Sequence, residues 1–304
     1  MEYALTADNL CKRYGRFNAL NNLSMRVEKG AIYGLVGKNG SGKTTLIRLI
    51  CGLQRPTLGQ YSIYGEKNTS SKISYVRHRM GAVIESPSIF LNMTARDNLK
   101  HQYYVLGRPS FDGIDELLQL VGLEKESNKK AQHFSLGMRQ RLGIALALAG
   151  DPDFLLLDEP INGIDPQGIV QIRELLIKLN KERQMTILIS SHILGELSKM
   201  ATHYGFIEKG SIIKEVSADD LERSCRKCMR ISVSDIPTLI RVLDLNSAEY
   251  RIVSENTADI YGKYNIAEIV LMLSKENCDI ISLSERDETL ESYYINLVGG
   301  AKND

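Results

Sequence analysis

Gly37-Lys38-Asn39-Gly40-Ser41-Gly42-Lys43-Thr44 decides the fold of this 304-residue chain. The eight residues fit the pattern G-x-x-x-x-G-K-[ST]. A short β-rich apolar run at 31–36 precedes them, and Thr45-Leu46-Ile47-Arg48-Leu49-Ile50 continues with helical spacing to a stop at Gly52. A glycine-rich turn between strand and helix lets the backbone wrap close to a polyphosphate with several N–H groups aimed inward. The helix start adds the positive end of its dipole. Lys43 brings a cation to the outer phosphates and the Thr44 hydroxyl is sized to ligate Mg²⁺, while Gly37 to Gly42 and Thr45 complete the cradle.

Outward from this loop, strands and helices alternate. Strand signals lie at 4–10, 20–27, 154–157, 186–189 and 204–208, with a helix at 167–180 and a Lys209-Gly210 turn into 211–214. That alternation predicts a parallel sheet covered on both faces. Residues from Thr94 to Ala149 read as helical, with Thr94 as an N-cap and apolar helical spacing at 114–121 and 136–149, an insertion in the alternating pattern. After residue 215 the order becomes β (229–233), α (236–245), β (250–253), β (258–261), α (266–274), β (280–283), the split pattern of ferredoxin-like modules, followed by a helix at 288–297 that ends at Gly299-Gly300. The expectation is an α/β P-loop NTPase core at 1–215 with an inserted helical subdomain at about 86–149, and a small α+β (βαββαβ-like) domain at 216–304.

Composition narrows the function. Hydrophobic residues at 43% and charged residues at 25% describe an ordinary globular chain, and 38 Lys+Arg against 37 Asp+Glu leave a formal charge of +1, without the basic excess of a duplex-binding protein. Nucleic acid is therefore not the expected partner. Met1 to Asp8 lacks the basic-then-apolar pattern of a secretion signal, and five cysteines are an odd number, so reduced thiols in a cytosolic setting are expected. No apolar run approaches the ~20 residues that span a bilayer, so work at a membrane would need another chain to supply the span.

Phe154-Leu155-Leu156-Leu157-Asp158-Glu159-Pro160 is a buried-strand pattern that ends in two acids. Such a run places both carboxylates at the C-terminal edge of the sheet, where ligands bind in open α/β folds. Asp158 there would hold Mg²⁺, and Glu159 would orient and activate an attacking water.

With these two motifs in place, Phe134-Ser135-Leu136-Gly137-Met138-Arg139-Gln140-Arg141-Leu142 resembles the signature of the nucleotide-binding subunits of ATP-binding-cassette (ABC) transporters. The usual form is Leu-Ser-Gly-Gly-Gln; Ser135 and Gly137 match, whereas Leu136 and Met138 depart. Asn162-Gly163-Ile164-Asp165 resembles that family's D-loop, Ile189-Ser190-Ser191-His192 its switch-histidine segment, and Tyr14 in Lys12-Arg13-Tyr14-Gly15 the aromatic that stacks on adenine. The resemblance covers about residues 2–215. It implies ATP and Mg²⁺ as cofactors, a head-to-tail homodimer or heterodimer of ATPase subunits, transmembrane permease partners, and a place on the cytoplasmic face of the membrane. By the same resemblance Ser135 and Gly137 act across the dimer, His192 senses the γ-phosphate, and the helical insertion docks the permease.

Gly81-Ala82-Val83-Ile84-Glu85 resembles the Q-loop segment, with Glu85 where Gln is usual; as a carboxylate it would serve Mg²⁺ beside Thr44 and Asp158. That Glu, together with the Phe-Ser-Leu-Gly-Met signature, resembles the subgroup that exports bacitracin or gives immunity to lantibiotics, so a peptide-antibiotic exporter is the implied function. Exporters of other cargo and soluble ABC-type ATPases are the rivals, although the chain shows one cassette and none of the coiled coils or zinc inserts of the latter. A GTPase would need Asn-Lys-x-Asp, which Asn128-Lys129-Lys130-Ala131 and Asn180-Lys181-Glu182-Arg183 both lack. Cys225 and Cys228 form a C-x-x-C without the second ligand pair of a zinc site and read as ordinary thiols.

Overall fold

The structure, a computed structural model, describes residues 2–225, 228–262, 265–286, 293–294 and 297. The chain divides into two units, Met1–Ala218 and Asp219–Asp304. In chain order the first carries β1 (Tyr3–Tyr14), β2 (Phe17–Glu28), β3 (Ile32–Val36), α1 (Lys43–Ile50), β4 (Leu58–Ile63), β5 (Glu66–Lys67), α2 (Ile73–Arg77), β6 (Met80–Val83), α3 (Ala95–Val105), α4 (Ile114–Leu120), α5 (Leu136–Leu148), β7 (Phe154–Asp158), α6 (Pro166–Arg183), β8 (Thr186–Ser191), α7 (Leu194–Leu197), β9 (His203–Glu208) and β10 (Ser211–Ser217). The connecting helix α8 runs over Ala218–Ser224.

Two sheets build the first unit. Strands in the order β10-β9-β3-β8-β7-β6 form one, in which β9, β3, β8, β7 and β6 run parallel and β10 closes the edge antiparallel. Its central strands β3, β7 and β8 are buried at every residue, which is why they read as continuous apolar runs. The order β2-β1-β4-β5 forms a separate antiparallel sheet. One core fills the space between the sheets: Leu46, Ile47, Leu49 and Ile50 of α1 pack in a single cluster with Leu5, Leu23 and Met25 of the antiparallel sheet and Leu35, Phe154 and Leu188 of the parallel one. The phosphate-loop helix is thus held from both sides.

The expected strands and helices of this unit are present, and the expected parallel sheet exists. The strands at 4–10 and 20–27 do not join it, however; they form their own sheet, because a two-residue turn at Gly15 (φ +58°) makes them a hairpin. Three strands escaped the sequence reading, of which β5 is only two residues long. In β4 only Tyr61 and Ile63 are buried, and β6 is four residues long with a glycine inside, so neither carries a periodic signal.

Thr94 caps α3, its hydroxyl accepting from the Asp97 N–H at 3.0 Å. Ser135 does the same for α5 through the Met138 N–H at 3.2 Å.

The second unit carries β11 (Cys228–Val233), α9 (Ile236–Leu245), β12 (Glu249–Ser254), β13 (Thr257–Tyr261), α10 (Ile266–Lys275) and β14 (Ile280–Arg286). Its antiparallel order β12-β13-β11-β14 is the split βαββαβ arrangement. Alternation sends Ile231, Val233, Ala258 and Ile260 into one core with Leu239, Val242, Leu243, Ile269 and Leu273 of the two helices. Of the helix expected at 288–297, all but 293, 294 and 297 lie outside the described residues, as do Gly299, Gly300 and the Arg226-Lys227 pair of the C-x-x-C.

Candidate functional site

Three adjacent parallel strands bring the chemistry to one edge. In β3, β8 and β7 the register pairs Val36 with Ser191 and Asp158 with Ser190, so the loop after β3, the acids ending β7 and the Ser190-Ser191-His192 segment after β8 leave the sheet side by side. Parallel strands present their C-terminal ends together, and the loops there form the ligand crevice of such folds.

The phosphate loop is shaped by its backbone. Gly42 caps α1 at φ +112°, a left-handed conformation, and a Cβ there would stand 2.7 Å from the Ala19 carbonyl oxygen, so any side chain would be both strained and crowded. Lys43 opens the helix and turns back on the loop: its ammonium donates to the carbonyls of Gly37 at 2.7 Å and Lys38 at 3.1 Å, with only 5% of the residue exposed. Lys38, Asn39 and Gly40 are exposed around it, and the Ser41 hydroxyl is buried without a hydrogen-bond partner among the described residues. Asn39, Gly40, Gly42, Lys43, Thr44, Thr45 and Glu159 line a cleft of about 240 Å³ with Phe17 and Ala19.

Opposite the loop, Asp158 is 1% exposed and accepts a 2.6 Å hydrogen bond from Ser190 Oγ. The same Oγ accepts from the Glu159 N–H at 3.0 Å. Ser190, which carried no role in the sequence reading beyond its motif, therefore holds both acids in place. Glu159 has φ +51°, a left-handed conformation directly after the strand end. Its Oε1 lies 3.2 Å from Lys43 Nζ, and its Oε2 lies 2.9 Å from His192 Nδ1. Oε1 has no aligned hydrogen bond of its own, so its attraction to Lys43 is electrostatic. Cation, carboxylate and imidazole form one connected group.

The histidine segment is anchored from behind. Ser191 Oγ accepts from the Ile193 N–H at 2.9 Å. On α7, the Glu196 carboxylate accepts from Lys199 Nζ at 2.6 Å and from Arg173 Nη1 of α6 at 2.8 Å. These cations, Lys199 foremost, hold the Glu196 carboxyl below its ordinary pKa.

Four expected site residues lie away from the cleft. Tyr14 does not line the cleft; its hydroxyl donates to Gln54 Oε1, and Lys12 lies 5.1 Å from its ring centre. Phe17, missed by the sequence reading, is the aromatic at the cleft. It pairs directly with Tyr14 across the hairpin turn, so the two rings leave the same face of the ribbon. A stronger hint was available in the two-residue spacing of the turn. Glu85 joins neither Thr44 nor Asp158; its Oε1 accepts from Arg48 Nη2 at 2.6 Å, on the wall of a separate groove of about 1020 Å³. Ser135 and Gly137 stand outside the cleft. Ser135 is exposed, and Gly137 is buried beside Ile164 of the D-loop-like segment.

Among the described residues no group of three or more His, Cys, Asp or Glu is gathered to hold a metal unaided. Mg²⁺ does not ask for one, since it takes one or two protein oxygens and completes its shell with phosphate and water. The Thr44 hydroxyl in the cleft and the Asp158 carboxylate, oriented by Ser190, are a hard-oxygen donor set of that kind. The residues present fit the ion.

A family model described as "ABC transporter" matches residues 20–162. The chain is 38% identical over 303 residues to the bacitracin transport ATP-binding protein BcrA of Bacillus licheniformis, covering 99% of each. It is 42% identical over 218 residues to the lantibiotic transport ATP-binding protein SrtF of Streptococcus pyogenes, covering 72% of this chain and 93% of the relative. Among solved structures it is similar to a dimeric, post-hydrolysis ATP-binding cassette, MJ0796, bound to ADP and Pi, with a TM-score of 0.64 and 25% identity over 70% of this chain and 98% of the other.

Proposed function

The chain belongs to the ATP-binding subunits of ABC transporters, an ATPase family, and from that premise we propose that it drives export of a peptide antibiotic. The observation that carries the ATPase part of the reading is the connected group Lys43, Glu159 and His192 at the mouth of the phosphate loop. The cargo rests on the relatives: one is named for bacitracin transport and matches both units end to end, and another is named for lantibiotic transport.

Each residue has a task in this reading. The loop from Gly37 to Thr45 binds the phosphates, and Lys43 exchanges its carbonyl partners for phosphate oxygens. Phe17, at the cleft, offers the adenine ring an apolar face, and Tyr14 stands beside it across the hairpin turn. Mg²⁺, held by Thr44 and Asp158, would neutralise charge on the outer phosphates. Glu159 accepts a proton from the attacking water, and His192, 2.9 Å from its Oε2, fixes the orientation of the carboxylate and contacts the γ-phosphate. Ser135 and Gly137 belong to the cleft of a second subunit, for which Ser135 and the start of α5 supply an anion-binding helix terminus. ATP then joins two subunits, and its hydrolysis releases them.

Among the described residues no helix is long and apolar enough to cross a membrane. In this reading a permease supplies the span, and the ATPase sits at the cytoplasmic face. The groove beside Glu85, walled by Leu53, Val105 and Leu106 with Arg77 and Arg108, is where the permease docks.

The test is resistance. In a bacitracin-sensitive bacterium, the chain expressed with its permease should raise the inhibitory concentration of bacitracin or a lantibiotic, and Glu159→Gln in the same complex should abolish the gain. An active ATPase complex that changes sensitivity to neither class would overturn the cargo and leave the ATPase reading intact.

A further inference from the structure

Glu85 occupies an unusual position for a carboxylate. It has φ +60°, a conformation that costs a non-glycine residue energy, and it follows the last strand of the sheet edge that carries Asp158. Its side chain is 61% exposed, and its Oε1 is bound to Arg48 Nη2 at 2.6 Å. Arg48 stands on α1 five residues after Lys43, about 7.5 Å farther along the helix axis. The ion pair therefore fastens the Glu85 segment to the far part of the phosphate-loop helix, and Glu85 is absent from the walls of the cleft.

The same segment is fastened on its other side to α5. A Cβ on Gly143 would stand 2.5 Å from Pro87 Cβ, and one on Gly81 of β6 would stand 2.4 Å from the Ala147 carbonyl oxygen, so the Pro87 ring and the strand before Glu85 both pack directly on the α5 backbone. Pro87 is two residues from Glu85. A continuous chain of contacts thus runs from Lys43 along α1 to Arg48, across to Glu85 and Pro87, and into the helix capped by Ser135.

Resting on the ATPase reading above, we propose that Arg48 is a positioning residue: it holds the Glu85 carboxylate on α1, in competition with the Mg²⁺ side of the cleft. A glutamine at position 85 would offer a neutral amide oxygen to the Arg48 guanidinium and to the metal, a weaker partner than a carboxylate for either cation. A glutamate makes a charge-assisted bond at either place, so its choice between them is set by Arg48. An exposed pair of this kind is weak enough to exchange. Removing Arg48 frees Glu85 for the metal and loosens the tie between α1 and α5.

The test is a double-mutant cycle on binding, without turnover. Wild type, Arg48→Gln, Glu85→Gln and the double variant are each titrated with Mg²⁺ at fixed AMP-PNP. Arg48→Gln should lower the Mg²⁺ needed for half-saturation by roughly two- to fivefold, the worth of an exposed ion pair, while the same change in the Glu85→Gln background should do nothing. Amide hydrogen exchange across residues 84–88, measured without nucleotide, should be faster in Arg48→Gln than in wild type. An equal shift in both backgrounds, or no shift where Glu85 is present, overturns the proposal. Arg48→Met keeps the length of the side chain without its charge and should give the same shift, which decides the matter if Arg48→Gln fails to fold. If the wild type binds no AMP-PNP at any Mg²⁺ concentration, the ATPase reading has failed, and the role of Arg48 falls with it.

Discussion

Lys43 Nζ and Glu159 Oε1 lie 3.2 Å apart, so the cation of the phosphate loop and the carboxylate after β7 neutralise each other across one cleft. Lys43 is 5% exposed and also donates to the Gly37 and Lys38 carbonyls. Burying a charge is tolerable when it is paired and hydrogen-bonded, and both conditions are met here. Lys43→Ala should raise the dissociation constant for ATP by about 10- to 100-fold, the worth of one or two hydrogen bonds to charged groups. An equilibrium titration giving the wild-type constant would remove Lys43 from the site.

Glu159→Gln keeps the shape of the side chain and removes its basicity. General-base catalysis contributes about 10²- to 10⁴-fold, so turnover should fall by at least about 100-fold while ATP affinity holds or rises with the loss of a negative charge. The ATP-bound variant should accumulate as a dimer in size-exclusion chromatography. Wild-type turnover would show that another group takes the proton.

Ser190 Oγ serves Asp158 and the Glu159 N–H together. Ser190→Ala leaves a carboxylate that is 1% exposed short of its donor, a loss of about 1–3 kcal/mol in stability. The more telling readout is Mg²⁺ dependence: half-saturation should move to higher Mg²⁺, because Asp158 is no longer oriented. A lower melting temperature with unchanged Mg²⁺ dependence would make Ser190 structural only.

What was legible in the sequence follows from how local each signal is. The phosphate loop announces itself because the helix cap, the turn and the cation are within eight residues. Buried strands such as β7 read correctly because every residue must be apolar. The sheet assignment of β1 and β2 was not legible, since pairing is decided by the hairpin turn and by β4, whose own pattern is weak. At the site, residue types were legible and their partners were not. The serine shared by two acids, the ring of Phe17 at the cleft and the Arg48 bond to Glu85 join residues 31, 22 or more, and 37 positions apart, and such contacts exist only after folding.

Phe17 and Tyr14 pair across the turn, but only Phe17 lines the cleft. Stacking of a base on an aromatic ring is worth about 1–3 kcal/mol by alanine substitution, so Phe17→Ala should weaken ATP binding by about 5- to 150-fold. Tyr14→Phe removes only the hydroxyl bound to Gln54 and should leave the affinity near wild type. If Tyr14→Ala weakens binding and Phe17→Ala does not, the adenine lies on the other strand of the hairpin.

Glu196 ties α7, and with it the segment after His192, to α6 through Arg173. Lys199 and Arg173 hold its carboxyl below the usual value of 4.5. The sign follows from linkage: a carboxyl with a depressed folded-state pKa stabilises the fold fully above its unfolded value, and that contribution drains away as pH falls through the folded-state value. The melting temperature of wild type should therefore exceed that of Glu196→Gln by a constant margin from pH 8 down to about pH 5, and the margin should shrink below pH 4.5 and close under stronger acid. A margin independent of pH would mean that the amide reproduces every contact of the carboxylate. A margin that widened on acidification would place the depressed group elsewhere. Turnover at pH 7 gives the second readout, because a loosened α7 leaves His192 less well aimed at Glu159: Glu196→Gln should lower kcat with little change in KM, whereas a purely structural role for Glu196 would shift the melting curve and leave kcat untouched.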